Sequence, residues 1–274
     1  MSNFTKERDI HPACEKPGYR PGFPPPFTLQ RRRVSGEGRS SFFRNECVRI
    51  FSVSKPLLVL ASNSPRRRQL LALGGWMFHV RAMDVDETPL PDEDPRRYVV
   101  RLAESKARAC AAASHEDLVI LAADTTVVDG QAILGKPGSM TEAVDMLRRL
   151  RGRTHQVCTG IAALRMADGK LLTDLCVTDV PMREYTDAEI EAYVASGDPL
   201  DKAGAYAIQH RGFQPVEHLS GCFASVMGLP LCHVTRTLNQ LGLVCCMDVA
   251  AECQSALEYN CPVFSSILAE KEPG

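Results

Sequence analysis

The chain has 274 residues, 45% hydrophobic and 24% charged, with a formal net charge of −1 at neutral pH. That is enough for one large domain or two lobes with an ordinary core, and the balanced charge argues against a general nucleic-acid binder, which carries a basic excess. The cysteine count, 11, is odd and without paired metal-ligand spacing, and no charged n-region followed by an apolar run opens the chain, so a cytoplasmic protein with reduced thiols and no membrane partner is expected.

Residues 1–55 carry GYRPGFPPPF, the Arg31-Arg32-Arg33 run and a Ser/Gly patch from Ser35 to Ser41, with no sustained period. They read as a disordered extension. The Arg excess would suit a transit peptide or an arm for an anionic surface, but Glu7, Asp9 and Glu15 are acids that transit peptides avoid, and a dispensable leader is the favoured reading. From Pro56 short apolar runs alternate with amphipathic stretches, the pattern of an α/β fold. Val59, Leu60 and Ala61 end a buried strand; Pro65 opens a helix with Ser64 as N-cap. Tyr98 to Ala113 has helical spacing, and Leu118 to Ala123 is a short buried strand ending at Asp124. Thr141 to Leu150 is a further helix. His155 to Leu164 and Leu171 to Val180 form two long strands joined at Ala167-Asp168-Gly169, and Asp187 to Ala195 is a helix capped from Thr186. The stretch after Ala195 is loop-rich. The domain is expected to span 56–243, and residues 244–274 lose periodicity and read as a second extension of unknown role; Cys245, Cys246, Cys253 and Cys261 cluster there without Cys-x-x-Cys spacing and stay unassigned.

The chemistry concentrates in a few places. Ser64 at a helix N-terminus, beside Arg66, Arg67 and Arg68, describes an anion site: the first backbone N–H groups of a helix are unpaired and partly positive, and arginines add charge and fork-shaped donors. A capped, solvated surface helix is the bland alternative. With the whole chain near neutrality, the ligand that fits is a small phosphorylated metabolite. Asp124 follows the apolar run LVILAA, so its carboxylate is expected at a strand end, where open sheets place ligands, as a base or a metal ligand. Lys136 in Gly135-Lys136-Pro137 and Lys202 in DKAGAYAIQ are weak signals singly.

Their order is more specific: SNSPRR, RLAESKA, AADTTVV, GKP, RGRTHQVCTG, GDPLDKAGAYAIQ and GLPL succeed one another between Ser62 and Leu231. In these motifs the chain resembles the Maf family of nucleoside triphosphate pyrophosphatases. The resemblance implies an α/β fold of the Maf/inosine-triphosphatase type, an elongated mixed sheet flanked by helices around a central cleft. It also implies metal-assisted hydrolysis of a nucleoside triphosphate between the α and β phosphates. Arg66, Arg67, Lys106, Lys136 and Lys202 would neutralise the phosphates, Asp124 matches the proposed proton acceptor, and Mg²⁺ or Mn²⁺ would suit the oxygen ligands. Of the acidic stretch Asp84 to Asp94, Glu87 is the member assigned with Asp124 to the metal. SPRR, DTTVV and AYAIQ resemble the branch acting on dTTP and UTP, with Arg66, Thr125 and Gln209 at positions tied to base choice and Gln209 assigned to the imide edge of the base. Modified pyrimidine nucleotides fall within the same reading. A 7-methyl-GTP-type pyrophosphatase and a nucleotide-binding regulator of septum formation are the alternatives, and nucleic-acid binding through the Arg-rich arm would show a steep salt dependence. Ala207 and His210 depart from the family's glycines, and His210 is expected to narrow the pocket or slow closure. A homodimer would be unsurprising in this family.

Overall fold

A computed structural model describes residues 56–245 and 247–269; the expected extension at 1–55, Cys246 and residues 270–274 lie outside the described residues. Its centre is a six-stranded mixed sheet built from β1 (Leu57–Leu60), β2 (Phe78–Val80), β3 (Leu118–Asp129), β4 (Ala132–Leu134), β5 (Thr154–Arg165) and β6 (Lys170–Pro181). The spatial order is β2-β1-β3-β5-β6, with β4 also paired to β3. β1 runs parallel to β2 and β3, and the β3–β4, β3–β5 and β5–β6 pairs are antiparallel.

The expected strand Leu118 to Ala123 continues to Asp129, so Asp124 lies in mid-strand rather than at a strand end. The β-branched run Thr125-Thr126-Val127-Val128 suits extended backbone, and β5 pairs with β3 from Val119↔Arg165 to Val128↔Gln156. The other edge of β3 is shared. β1 covers it up to Leu60↔Leu121, extended by the Ala61 N–H to the Leu121 carbonyl at 2.8 Å, and β4 covers it again only from Val127↔Leu134. Between those points the sheet is split, and Asp124, Thr125 and Thr126 border the opening.

Alternation along β3 then sorts its side chains. Val119, Leu121 and Ala123 join Leu58, Leu60, Ile161 and Ala163 in a core beneath α1 (Pro65–Leu73), α5 (Phe223–Met227) and α6 (Leu231–Gln240). Ile120 and Ala122 join Val59, Ala61 and Ala162 against Ala103, Ala107 and Cys110 of α2 (Pro95–Ala112). A further core under the far ends of β3 and β5 packs Val127 and Val157 on α3 (Met140–Leu150) and α4 (Asp187–Ala195). By parity Asp124 belongs to the α2 face and Thr125 to the α1/α5 face.

Local signals account for most helix starts. Ser64 accepts a hydrogen bond from the Arg67 N–H ahead of Pro65, Asp94 caps α2 through the N–H groups of Arg96 and Arg97, and Thr186 and Glu189 close a reciprocal capping box on α4. Past Leu243, where periodicity predicts no element, the structure places α7 (Val249–Leu257) and α8 (Phe264–Ala269). Val249 completes the core under α1 and α6, while Ala250 and Ile267 pack on Cys232. With only Val249 and Ala250 buried, α7 shows no recognisable stripe in sequence; its clearest mark is the Asp248 cap to the Ala251 N–H. Among the described residues no helix is long and apolar enough to cross a membrane, and the cysteines are free thiols.

Candidate active site

A cleft of about 570 Å³ opens at the split in the sheet, within the size range of small-molecule sites. Ser64, Arg66, Arg67, Glu87, Lys106, Asp124, Thr125, Lys136, Lys202 and Gln209 all line it. Residues spread over more than half the domain sequence are thus brought together where β1 ends, α1 begins and β3 has a free edge.

On the α2 face, the buried Lys106 ammonium lies 2.6 Å from Asp124 Oδ1 and 2.6 Å from Glu87 Oε1. Gly160 makes this approach possible. It is the register partner of Asp124, so the two share a face. A Cβ at Gly160 would stand 2.7 Å from backbone atoms of Val99 and Val100, so any larger residue would push α2 away from the sheet. Burial pushes the Glu87 carboxyl up, but the hydrogen bond and charge of Lys106, with Lys136 and Arg67 behind them, outweigh it and hold the group below the usual range. Tyr98 donates from its hydroxyl to the Glu87 carbonyl at 2.8 Å, fixing the loop that carries this carboxylate.

On the opposite face Arg67 is held at three points. Its Nε donates to the Gly228 carbonyl at 2.8 Å, Nη1 to Ser62 Oγ at 3.3 Å and Nη2 to Thr125 Oγ1 at 3.1 Å. Thr125 Oγ1 lies 3.0 Å from Thr159 Oγ1, which donates to the Ser225 carbonyl at 2.9 Å. Because a carbonyl only accepts, the single Thr159 proton is committed there, and Thr125 must donate to Thr159 while accepting from Arg67. The direction of the chain is fixed from guanidinium to carbonyl. Gly228 ends α5 in the left-handed region at φ +113°, which a side chain would strain, and a Cβ there would lie in contact with Arg67 Nε and Thr125 Oγ1 at 3.4 Å. Burial lowers the Arg67 pKa, with Arg66 adding to the effect and Asp124 and Glu87 opposing it. Among the described residues no carboxylate forms an ion pair with Arg67. A half-buried cation braced by neutral groups alone is suited to an anionic ligand.

The remaining residues differ in how free they are. Lys136 stands exposed in the loop after β4, with no ion pair among the described residues. Arg66 Nη1 lies 3.6 Å from Asp201 Oδ2. Lys202 is buried and spends all three ammonium protons on protein oxygens: Asp198 Oδ1 at 3.0 Å, Asp201 Oδ1 at 2.6 Å and the Asp198 carbonyl. Ser64 uses its hydroxyl as the α1 cap, and Gln209 is exposed at the cleft wall. His210 does not line the cleft and does not adopt positive φ; it accepts the Phe213 N–H at Nδ1 over 2.9 Å and packs on Tyr193, which answers the expectation that it would crowd the pocket. Ser62, Tyr98, Thr159 and Gly228 are site-forming residues to which the sequence reading gave no role; Ser62, Thr159 and Gly228 lie within the motifs SNSPRR, RGRTHQVCTG and GLPL, whereas Tyr98 lies outside them.

Beneath the cleft His155 is buried, with Nε2 2.8 Å from the Tyr206 hydroxyl and Nδ1 without a hydrogen-bond partner among the described residues. Burial lowers its pKa from 6.5 to about 4, against a weaker opposing pull from Asp129. A base with a depressed folded-state pKa stabilises the fold in its neutral form, fully above the unfolded pKa, and loses that contribution as pH falls toward the folded one. The unfolding midpoint is therefore expected to drop between pH 6.5 and 4, by up to about 3 kcal/mol of stability. Thermal melts of wild type and His155→Gln across that window check this; equal pH slopes in the two proteins would contradict it.

Comparison with known proteins gives the family. The family model described as Maf-like protein matches residues 57–241. Relatives named dTTP/UTP pyrophosphatase include one from Dehalococcoides mccartyi strain 195, 43% identical over 68% of this chain and 83% of its own length. Those from Anaeromyxobacter dehalogenans 2CP-C and Geobacter sulfurreducens are 47% and 46% identical over 68% and 69% of this chain, and over 95% and 99% of their own. Among solved structures, a nucleoside-triphosphatase / dITP/XTP pyrophosphatase from Mycobacterium abscessus aligns at 12% identity over 67% of this chain and 93% of its own, with a TM-score of 0.34. With a family match over residues 57–241 and relatives covered over 83% to 99% of their own length, the chain belongs to the Maf-like protein family.

Proposed function

We propose that this protein hydrolyses dTTP and UTP between the α and β phosphates, releasing the nucleoside monophosphate and pyrophosphate. The observation that carries the reading is the split in the sheet, which presents a lysine-bridged carboxylate pair and a carboxylate-free guanidinium to one cleft. The relatives' shared name supplies the substrate class. Arg67 and the α1 N-terminus bind the phosphate chain, with Arg66 and Lys136 at the mouth and Lys106 beside the reacting group, where charge spreading in the transition state needs neutralising.

Asp124 is the proton acceptor in this reading. Its Oδ1 is fixed by Lys106, which sets the carboxylate's orientation and leaves Oδ2 to hold the attacking water. The donor set also fits a divalent cation. Lys106 engages one named oxygen each of Asp124 and Glu87, so each carboxylate keeps a second, hard oxygen. Since no group of three or more His, Cys, Asp or Glu among the described residues forms a metal site, Asp124 and Glu87 would hold Mg²⁺ or Mn²⁺ jointly with substrate oxygens. Bound there, the ion would supply charge neutralisation at the phosphates and a more acidic water. Gln209 offers an amide donor and acceptor to the imide edge of the base, an arrangement that leaves groups unsatisfied against the wrong base. Lys202, whose protons are spent, holds the Asp198–Asp201 turn at the cleft wall.

A panel of dTTP, UTP, CTP, GTP, 7-methyl-GTP and ATP, each with Mg²⁺ or Mn²⁺, tests the substrate class. dTTP and UTP are expected to lead by about tenfold or more in kcat/KM. Preference for 7-methyl-GTP would overturn the pyrimidine reading, and silence throughout would overturn the enzymatic one.

A further inference from the structure

Gln209 sits on the short segment Tyr206–Gln209, which lines the cleft and belongs to no strand or helix. What holds that segment lies outside the cleft. Tyr193 of α4 is 3% exposed and is absent from the cleft lining. Its hydroxyl accepts the Ala207 N–H at 3.0 Å and donates to Asp198 Oδ2 at 2.7 Å. Asp198 is in turn fixed through Oδ1 by Lys202. The Tyr193 ring packs on Phe213, stacked at 4.4 Å and 13°, and on His210, tilted at 4.7 Å. A buried backbone N–H two residues before Gln209 is thus tied to a side chain that is itself locked by packing and a charge-assisted hydrogen bond.

We propose that Tyr193 is a positioning residue for base selection, setting through the Ala207 N–H where the Ile208–Gln209 edge meets the base. This rests on the reading that Gln209 faces the base. Tyr193 makes no direct hydrogen bond to the Arg67 network or to Lys106, and its one route to α1 is the indirect chain through Asp198, Lys202 and Asp201 to Arg66, so its effect is expected on base discrimination more than on phosphate affinity. Burial raises the phenol's pKa far above its usual 10, with the hydrogen bond to Asp198 adding to the rise, so the hydroxyl keeps its proton and the direction of the relay does not vary with ordinary pH.

Tyr193→Phe removes one oxygen and keeps the ring stack. The dTTP:CTP ratio of kcat/KM is expected to fall about tenfold, mainly through the KM for dTTP, the scale of one net hydrogen bond. Competitive inhibition by pyrophosphate is expected to stay at the wild-type value, which a general loosening of the fold would not allow. Where Tyr193→Phe is not obtained folded, Asp198→Asn turns the Oδ2 acceptor of the Tyr193 hydroxyl into an amide donor while leaving an oxygen for Lys202, and is expected to lower the ratio in the same direction. A folded Tyr193→Phe with the wild-type ratio, or one whose pyrophosphate inhibition weakens in parallel, overturns the inference alone. A wild-type enzyme that turns over nucleotides without discriminating bases removes the Gln209 reading and this inference with it.

Discussion

Asp124→Asn is expected to lower kcat by about 10²–10⁴-fold, the usual contribution of a positioned general base. The substitution is nearly isosteric, so the loss reports the carboxylate's charge, as proton acceptor and as a ligand for the cation, and not a change of shape. Lys106 keeps its 2.6 Å contact with Glu87, and the Lys106 ammonium is not left bare in the cleft. Phosphate binding runs through Arg67 on the opposite face of β3, which the substitution does not touch. KM for dTTP should therefore stay within a few-fold of wild type, a pattern that marks an interaction made in the transition state. Steady-state kinetics, with dTTP binding measured separately by calorimetry, checks both halves. Near-full turnover in Asp124→Asn would show that the base lies elsewhere.

Arg67→Lys is the second large effect and has the opposite kinetic signature. It keeps the charge, but an ammonium on a flexible stem cannot span the Gly228 carbonyl, Ser62 Oγ and Thr125 Oγ1 as the guanidinium does. The Gly228 carbonyl and the Thr125–Thr159 chain then lose a donor, at a stability cost of about 1–3 kcal/mol. A lysine satisfied by one of those acceptors is no longer aimed at the phosphates as a fork. kcat/KM for dTTP is expected to fall about 10²-fold, mostly through KM, with weakened inhibition by pyrophosphate. Unchanged pyrophosphate affinity in a folded Arg67→Lys protein would place the phosphates away from α1.

Much of the fold is legible in sequence where the signal is local. Ser64 before Pro65, and Thr186 three residues before Glu189, announce helix starts because capping is a short-range hydrogen-bond demand. The residue types of the site are legible too, since arginines at a helix N-terminus and an acid after a buried run carry their chemistry with them. Position is less so. Asp124 is expected at a strand end and lies mid-strand, because where β3 loses its neighbour depends on the length of β1 and the onset of β4, and neither is written in the residues around Asp124. The roles of Thr159, although it lies within RGRTHQVCTG, and of Tyr193 are hidden for a related reason. Each acts through a backbone or hydroxyl partner brought close only by strand register or by the packing of α4, and a lone Thr in a strand or Tyr in a helix reads as core. The helices at 249–257 and 264–269 escape a periodicity reading because they cover the core with few buried residues apiece.

Which phosphoanhydride bond breaks is the central question. The direct measurement is to incubate the full chain with dTTP and Mg²⁺ in ¹⁸O-labelled water and to resolve the products by chromatography and mass spectrometry. Cleavage between the α and β phosphates gives dTMP and pyrophosphate in equal amounts, with the label in one of the two. Formation of dTDP and orthophosphate would show that the cleft presents the terminal phosphate to Asp124 and would contradict hydrolysis at the α–β bond.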